Sequence, residues 1–308
     1  MKILHGWKGL VPEDRGAAVA FGNFDGVHLG HQRVITDAAH AAATAGAPLG
    51  VISFEPHARM HFEPDAPPFR LMTPRQLART VERLGGQRLY LLPFGAEMAG
   101  LSDVAFASQV LSAGLGVSHV AVGFDVTFGK GRTGDPAAMR TYGEALGFTV
   151  SVAPALEESG RKISSSAIRE ALRGGRPGEA ADMLGRPFAI EGVVQKGRQL
   201  GRRLGFPTAN VLLGDYVAPL FGVYATRTRL VDGRELPGVA NIGVNPTTGE
   251  VEPRLEVWLF DFDEDIYGEI IETDLIAFLR PEEKFPSIET MVRQIRVDEK
   301  VARGLLRA

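Results

Sequence analysis

Apolar and polar positions follow two different rhythms along this chain, and the change of rhythm divides it. Up to about residue 184, largely apolar runs alternate with stretches of helical composition. The runs are AAVAFG (17–22), PLGVISF (48–54), RLYLLPF (88–94), HVAVGF (119–124) and FTVSVAPAL (148–156). Apolar runs without alternation are expected of strands buried on both faces of a parallel sheet. Helices are predicted in LGHQRVITDAAHAAATAG, near 74–85, from Ser102 onward, and in 135–147. Thr73, Pro74 and Gln76 fit a helix start with threonine as cap, proline first and glutamine third. Repeated strand–helix units predict a doubly wound, Rossmann-like parallel sheet, with ligands outside the carboxyl ends of its strands. The segments after Gly22, Phe54 and Phe124 fall at such ends.

Beyond about 185 the strands are short and broken by Gly and Pro: AIEGVVQ, TANVLL, VYATRTRL, RLEVWLFDF and IIETDLIAFL. That spacing predicts a small β-barrel. SIETMVRQIRVDEKVARGLL closes the chain as an amphipathic helix with Met291, Val292, Ile295 and Val301 near one stripe. The boundary is placed at LGRP, giving domains 1–184 and 185–308. No internal repeat is evident.

Composition narrows the chemistry. The 308 residues carry a net charge of −3, so attraction to nucleic acid or an anionic membrane would have to be local. There is no cysteine, which excludes disulfides, thiolate catalysis and zinc–sulfur sites. No run reaches the ~18–20 apolar residues of a membrane span, and the first residues lack an export signal. A cytoplasmic protein without nucleic-acid or membrane partners is expected; its oligomeric state is left open.

The first apolar run leads into FGNFDGVHLGHQ, a glycine-rich turn at a helix start carrying His28 and His31. Backbone donors and a positive helix end form an anion site there, and two imidazoles beside it suit a phosphate gaining charge. The segment resembles the HxGH signature of nucleotidyltransferases. The longer string is similar to the FMN adenylyltransferase module of bacterial bifunctional riboflavin kinase/FAD synthetases. The resemblance implies transfer of the adenylyl group of ATP to FMN, giving FAD and pyrophosphate. Gly22, Asn23, His28, Gly30 and His31 then serve the triphosphate and the transition state. Ile163 to Arg169 resembles that superfamily's ISSTxIR motif, with Ser164, Ser165 and Ser166 offering donors at a helix cap and Arg169 a guanidinium fork.

Two neighbouring segments admit other readings. Gly129, Gly131 and Gly134 spell GxGxxG, as in a dinucleotide fold, but they follow the fourth predicted strand and lack the acidic partner. The stretch better resembles the family loop GxDFxFGxxRxG, which implies flavin and nucleotide contacts from Asp125, Phe128 and Arg132; Val126 departs from the pattern. Glu55, His57, His61 and Glu63 could be metal ligands only on a helix, and Pro56 and Pro64 crowd the segment. Its likeness to the family's TFxPHP implies a substrate loop containing His57, with Ser53 and Ala58 as departures.

KGRQLGRRLGFPTAN holds the second constellation. Thr208 and Asn210 share one face of an extended strand and offer hard neutral oxygens suited to magnesium on ATP. Lys196, Gly197, Arg198, Gly201, Arg202 and Arg203 precede them as a phosphate-attracting loop. GFPTANV resembles the riboflavin kinase signature, as do FGVYAT, ANIGVNPT (with Asn241), LEVWLFDFDEDIYG and FPSIETMVRQIRVD. The resemblance implies Mg2+ with ATP, riboflavin as substrate and FMN as product, and makes Glu256 the base for the ribityl 5′-hydroxyl. Thr248 and Trp258 depart from that family's pattern. An NAD(P)-dependent oxidoreductase and a catalytically decayed flavin-binding module are the rival readings.

Overall fold

The computed structural model describes residues 1–158, 161–196, 201, 204–244 and 252–307. They form two compact units, Met1–Ala66 with Pro74–Ile163, and Pro67–Thr73 with Ser164–Ala308.

The first unit is built on β1 (Lys2–His5), β2 (Ala18–Phe21), β3 (Leu49–Phe54), β4 (Arg88–Leu92), β5 (His119–Gly123) and β6 (Thr149–Ala153). They form one sheet in the order β1-β4-β3-β2-β5-β6, every pair parallel. The apolar runs are strands because helices cover them: all four side chains of β2 are buried. The helices of this unit include α1 (Leu29–Ala45), α2 (Ala58–Phe62), α3 (Pro74–Arg83), α4 (Ala96–Gly100), α5 (Asp103–Ala105) and α6 (Pro136–Leu146), and the two-residue strands β7 (Glu157–Glu158) and β8 (Arg161–Lys162) pair after β6. The helix expected from Ser102 starts there, with Ser102 as its cap, but Phe106–Leu115 is wound as a π-helix. After β2 the chain adds strands on one side; β5 and β6 join the other side. The order therefore reverses between β2 and β5, where open α/β sheets bind ligands. The turn with the two histidines and the loop of the three glycines leave that point.

The second unit begins with α7 (Ser165–Arg173) and α8 (Pro177–Leu184). It continues through β9 (Phe188–Val193), β10 (Thr208–Leu212), β11 (Gly222–Arg229), β12 (Glu235–Gly243), β13 (Arg254–Leu259) and β14 (Ile270–Pro281) to α9 (Ile288–Leu306). The antiparallel sheet runs β10-β13-β12-β11-β14-β9, and a bridge from Gln195 to Asn210 joins its two edges into a small barrel. Strand β13 alternates strictly, with Leu255, Val257 and Leu259 inside and Arg254, Glu256 and Trp258 outside. The compact division differs from the expected 184/185 boundary. Ile168, Leu172, Ala180 and Leu184 of α7 and α8 bury themselves with Phe188 and Ile190 of the barrel.

Helix α9 lies on the outside of the barrel, with Ala302 and Leu306 against Ala225 and Phe260. Its expected stripe needs correction: Val301 is 47% exposed, while Asp298 is buried. An apolar pattern cannot anticipate that a carboxylate sits inward because it meets an arginine there.

Candidate functional site

The turn after β2 is tightly wound. Phe24 and Val27 hold φ of 40° and 41°, and Gly26 holds 88°, although Phe24 and Val27 are large buried side chains. A β-branched residue at positive φ is held there only by its surroundings. Here Val27 N–H donates to Phe24 O at 3.2 Å, and Gln32 Nε2 donates to Val27 O at 3.0 Å. Gly22 N–H reaches back to Ile52 O at 3.4 Å, and exposed Asn23 accepts from Ser53 Oγ through its carbonyl.

His28 is the N-cap of α1, and its Nδ1 accepts the His31 N–H at 3.2 Å. Accepting at Nδ1 places the proton of the neutral ring on Nε2, making that atom a donor. The two imidazoles stack with centroids 3.6 Å apart and planes 16° off parallel. Gly30 lies between them in sequence; a Cβ there would come within 3.1 Å of the His28 ring, and Ile163 O lies 3.9 Å from the same point. The start of the serine motif thus adjoins the histidine turn.

In the loop after β5, Phe128 pairs with Gly134 through two backbone hydrogen bonds of 3.0 and 3.1 Å. The Phe128 ring is buried against Phe21 and Phe106, which anchors the loop. A Cβ on Gly129 would fall 2.4 Å from Asp103 N, and one on Gly134 would fall 2.6 Å from the Phe128 ring. Those glycines are set by packing against the start of α5, which removes their value as a dinucleotide fingerprint. Asp125 forms a 2.7 Å ion pair with Lys162, joining this loop to the segment ahead of Ile163. Arg132 is exposed, at φ 59°. A five-residue helix, α2, does form between Pro56 and Pro64; His57 caps it, Nδ1 accepting from Arg59 N–H at 3.1 Å.

Ser164 caps α7 by accepting the Ala167 N–H at 3.2 Å, with Ser165 and Ser166 in the first turn. Arg169, one turn further, donates from Nε to Phe69 O at 2.7 Å.

On the barrel exterior, Asn210, Glu256 and Asn241 are direct cross-strand partners on β10, β13 and β12. The three side chains therefore share one face, with Thr208 and Trp258 paired in the next row of that face. Two cavities open here. The larger, about 350 Å³, is lined by Thr208, Asn241, Glu256, Trp258, Arg280 and residues of α9. The smaller, about 210 Å³, is lined by Thr208, Pro207, Phe262, Tyr267 and the acidic run 263–265. Thr208 borders both cavities. Asn210 Nδ2 donates to Thr208 O at 3.3 Å, leaving Oδ1 as the acceptor end of that amide. Lys196 Nζ stands 5.7 Å from the Tyr267 ring, and Gly201 O accepts from the N–H groups of Leu204 and Phe206 at 3.0 and 2.8 Å. Gly197, Arg198, Arg202, Arg203 and Thr248 lie outside the described residues.

Three residues of the larger cavity were missed in the sequence. Arg280 bonds Asp298 through Nε and Nη2 at 2.9–3.1 Å, and Gln294 also donates to Asp298 at 2.9 Å. Glu282 accepts from Asn241 Nδ2 at 3.0 Å. The pairing follows from register, since Val223 opposes both Asn241 and Arg280. Removing Asp298 strands a nearly buried guanidinium, so Asp298→Ala is expected to destabilise the protein by about 3–5 kcal/mol. Thermal unfolding measures this; a melting temperature unchanged from the parent would mean the pair does not fasten α9.

The chain matches the FAD synthetase family over residues 10–167 and the riboflavin kinase family over 184–306. A bifunctional riboflavin kinase/FMN adenylyltransferase of Pseudomonas fluorescens is 41% identical over 306 residues, covering 99% of this chain and 98% of its own. One from Bacillus subtilis is 40% identical over 301 residues, covering 95% and 94%. A crystal structure described as a macrolide-efflux protein from Streptococcus pneumoniae superposes with a TM-score of 0.86 at 32% identity, covering 98% of each chain. Among the described residues, no helix of this chain is long and apolar enough to cross a membrane. Aligned over nearly its whole length with relatives that carry both activities in one polypeptide, the chain belongs to the family of bifunctional riboflavin kinase/FMN adenylyltransferases.

Proposed function

We propose that each of the two reactions, ATP-dependent phosphorylation of riboflavin to FMN and adenylylation of FMN to FAD, is carried by its own set of the residues above. The observation that carries the kinase assignment is Thr208, which borders both cavities, while Glu256 lines the larger of the two. Riboflavin occupies the larger, with its aromatic and apolar lining, and ATP the smaller. Their reacting ends meet near Thr208. Glu256 accepts the proton of the ribityl 5′-hydroxyl as that oxygen bonds to the γ-phosphorus and ADP departs. Asn210 and Asn241 flank Glu256 in register on the neighbouring strands. Lys196 and the basic stretch of sequence that continues through Gly197, Arg198, Gly201 and Arg203 attract the phosphates.

The donor set fits magnesium: a hydroxyl and an amide oxygen on one outward face, both hard and uncharged. Thr208 Oγ1 and Asn210 Oδ1 would hold the ion, which when bound supplies positive charge to the ATP phosphates. Replacing Thr208 by valine keeps the shape and removes the oxygen. Thr208→Val is expected to raise the magnesium concentration for half-maximal FMN formation by at least about tenfold. An unchanged magnesium titration by chromatography of flavin products overturns this assignment.

For adenylyl transfer, a phosphate oxygen of FMN bonds to the α-phosphorus of ATP as the bond to pyrophosphate breaks, and no proton need move. The His28 Nε2–H, His31, the amino end of α1 and the Arg169 guanidinium stabilise the charge that builds on the phosphates. Gly22, Asn23 and Gly30 shape the turn, and Ser164, Ser165 and Ser166 supply donors at α7. Asp125, Arg132 and His57 lie on the loops assigned to flavin and nucleotide, with Phe128 as their buried anchor. Both reactions consume ATP, and we place the enzyme in the cytoplasm, with ATP, riboflavin and FMN as its partners and neither nucleic acid nor membrane.

A further inference from the structure

Residues Pro67–Thr73 lie in the chain between α2 and α3, elements of the first unit, yet they pack as part of the second. This strap is fastened at several points. Phe69 and Arg70 N–H both donate to Asp215 O, at 3.0 and 2.8 Å, and Val217 N–H donates back to Arg70 O at 2.8 Å. Leu71 enters the barrel core, and Thr73 Oγ1 donates to Glu191 Oε1 at 2.9 Å. Phe69 is itself buried, at 5% exposure.

The strap holds Arg169 in two ways. The Phe69 carbonyl accepts the Arg169 Nε–H at 2.7 Å, and the Phe69 ring lies 5.4 Å from the guanidinium carbon. A bond at Nε fixes the plane of the fork, and an aromatic face at that distance attracts the cation and limits its tilt. Arginine on a helix surface otherwise keeps several rotamers of similar energy, and holding one of them costs entropy. A group that must meet developing charge acts best when its orientation is set beforehand.

We propose that Phe69 is a positioning residue for adenylyl transfer, presenting the Arg169 guanidinium to the phosphates. The inference rests on the reading of Arg169 given above. It assigns the strap a task in the nucleotidyl reaction although its anchors lie on the barrel.

Four proteins test it: Phe69→Leu, Phe69→Tyr, Arg169→Lys and the double variant Phe69→Leu/Arg169→Lys. FAD formation is measured from supplied FMN and ATP, and FMN formation from riboflavin serves as the control for the folded barrel. Leucine fills much of the space without an aromatic face, so Phe69→Leu is expected to lower kcat for FAD by about five- to tenfold. The KM for ATP and the kinase rate should stay within about twofold. Tyrosine keeps the face and should restore kcat. Arg169→Lys should cost about tenfold or more, and adding Phe69→Leu to it should cost less than a further twofold, since the two act as one device. If Arg169→Lys is silent, the reading of Arg169 falls and the proposal with it. If Arg169→Lys is impaired but Phe69→Leu is silent, independent of Arg169, or lowers both activities together, the positioning role alone is overturned.

Discussion

His28→Asn is expected to lower FAD formation by about 10²–10³-fold while FMN continues to accumulate from riboflavin. The choice of asparagine matters because His28 does two things. Its Nδ1 caps α1 by accepting the His31 N–H, and its ring stacks on His31 at 3.6 Å. Alanine would remove the cap as well as the imidazole, at about 1 kcal/mol of stability. Asparagine is among the best N-cap residues and keeps an acceptor near the position of Nδ1. What it lacks is the stacked ring and the donor at Nε2. A variant with a parental unfolding midpoint and a large loss of FAD synthesis would assign the effect to the imidazole, through its stack on His31 and its Nε2 donor. FAD formation above about a tenth of the parental rate would leave the imidazole as a helix cap only, and would pass the catalytic charge to the backbone donors and Arg169.

The architecture was legible where one local rule sufficed. β2 and β5 read as strands because both faces are covered, and β13 because its side chains alternate. The histidine turn was legible because strand, glycine turn and helix start are consecutive in sequence. What depended on distant partners was not. β1 is a four-residue edge strand with one buried side chain, Leu4, too short to give a period. Phe128 reads as a loop aromatic, but Phe21 and Phe106 draw its ring into the core. Asp298 reads as polar helix surface until Arg280, eighteen residues earlier, is brought beside it. The strap carries no pattern at all, since its partners Asp215, Val217, Glu191 and Arg169 are a hundred or more residues away. Residue types at the site were visible; the groups that hold them became visible only with register and packing.

Glu256→Gln is expected to reduce FMN formation by about 10²–10⁴-fold, with adenylylation of supplied FMN within about twofold of the parent. Glutamine preserves the volume of the side chain in the row it shares with Asn210 and Asn241, so that face should survive. It cannot take up a proton. The size of the loss also reports on mechanism. Phosphoryl transfer through a loose transition state leaves the attacking hydroxyl largely protonated until late, and a carboxylate then contributes more by orienting that hydroxyl than by early proton removal. In that case Glu256→Gln, which still accepts a hydrogen bond through its amide oxygen, would lose less than about tenfold. Glu256→Asp separates the cases: it keeps the basic group but withdraws it by one methylene. A general base should tolerate glutamine less well than aspartate, whereas an orienting acceptor should show the reverse order. An equal and small effect of both on FMN formation would remove Glu256 from the reaction and leave the larger cavity without its base.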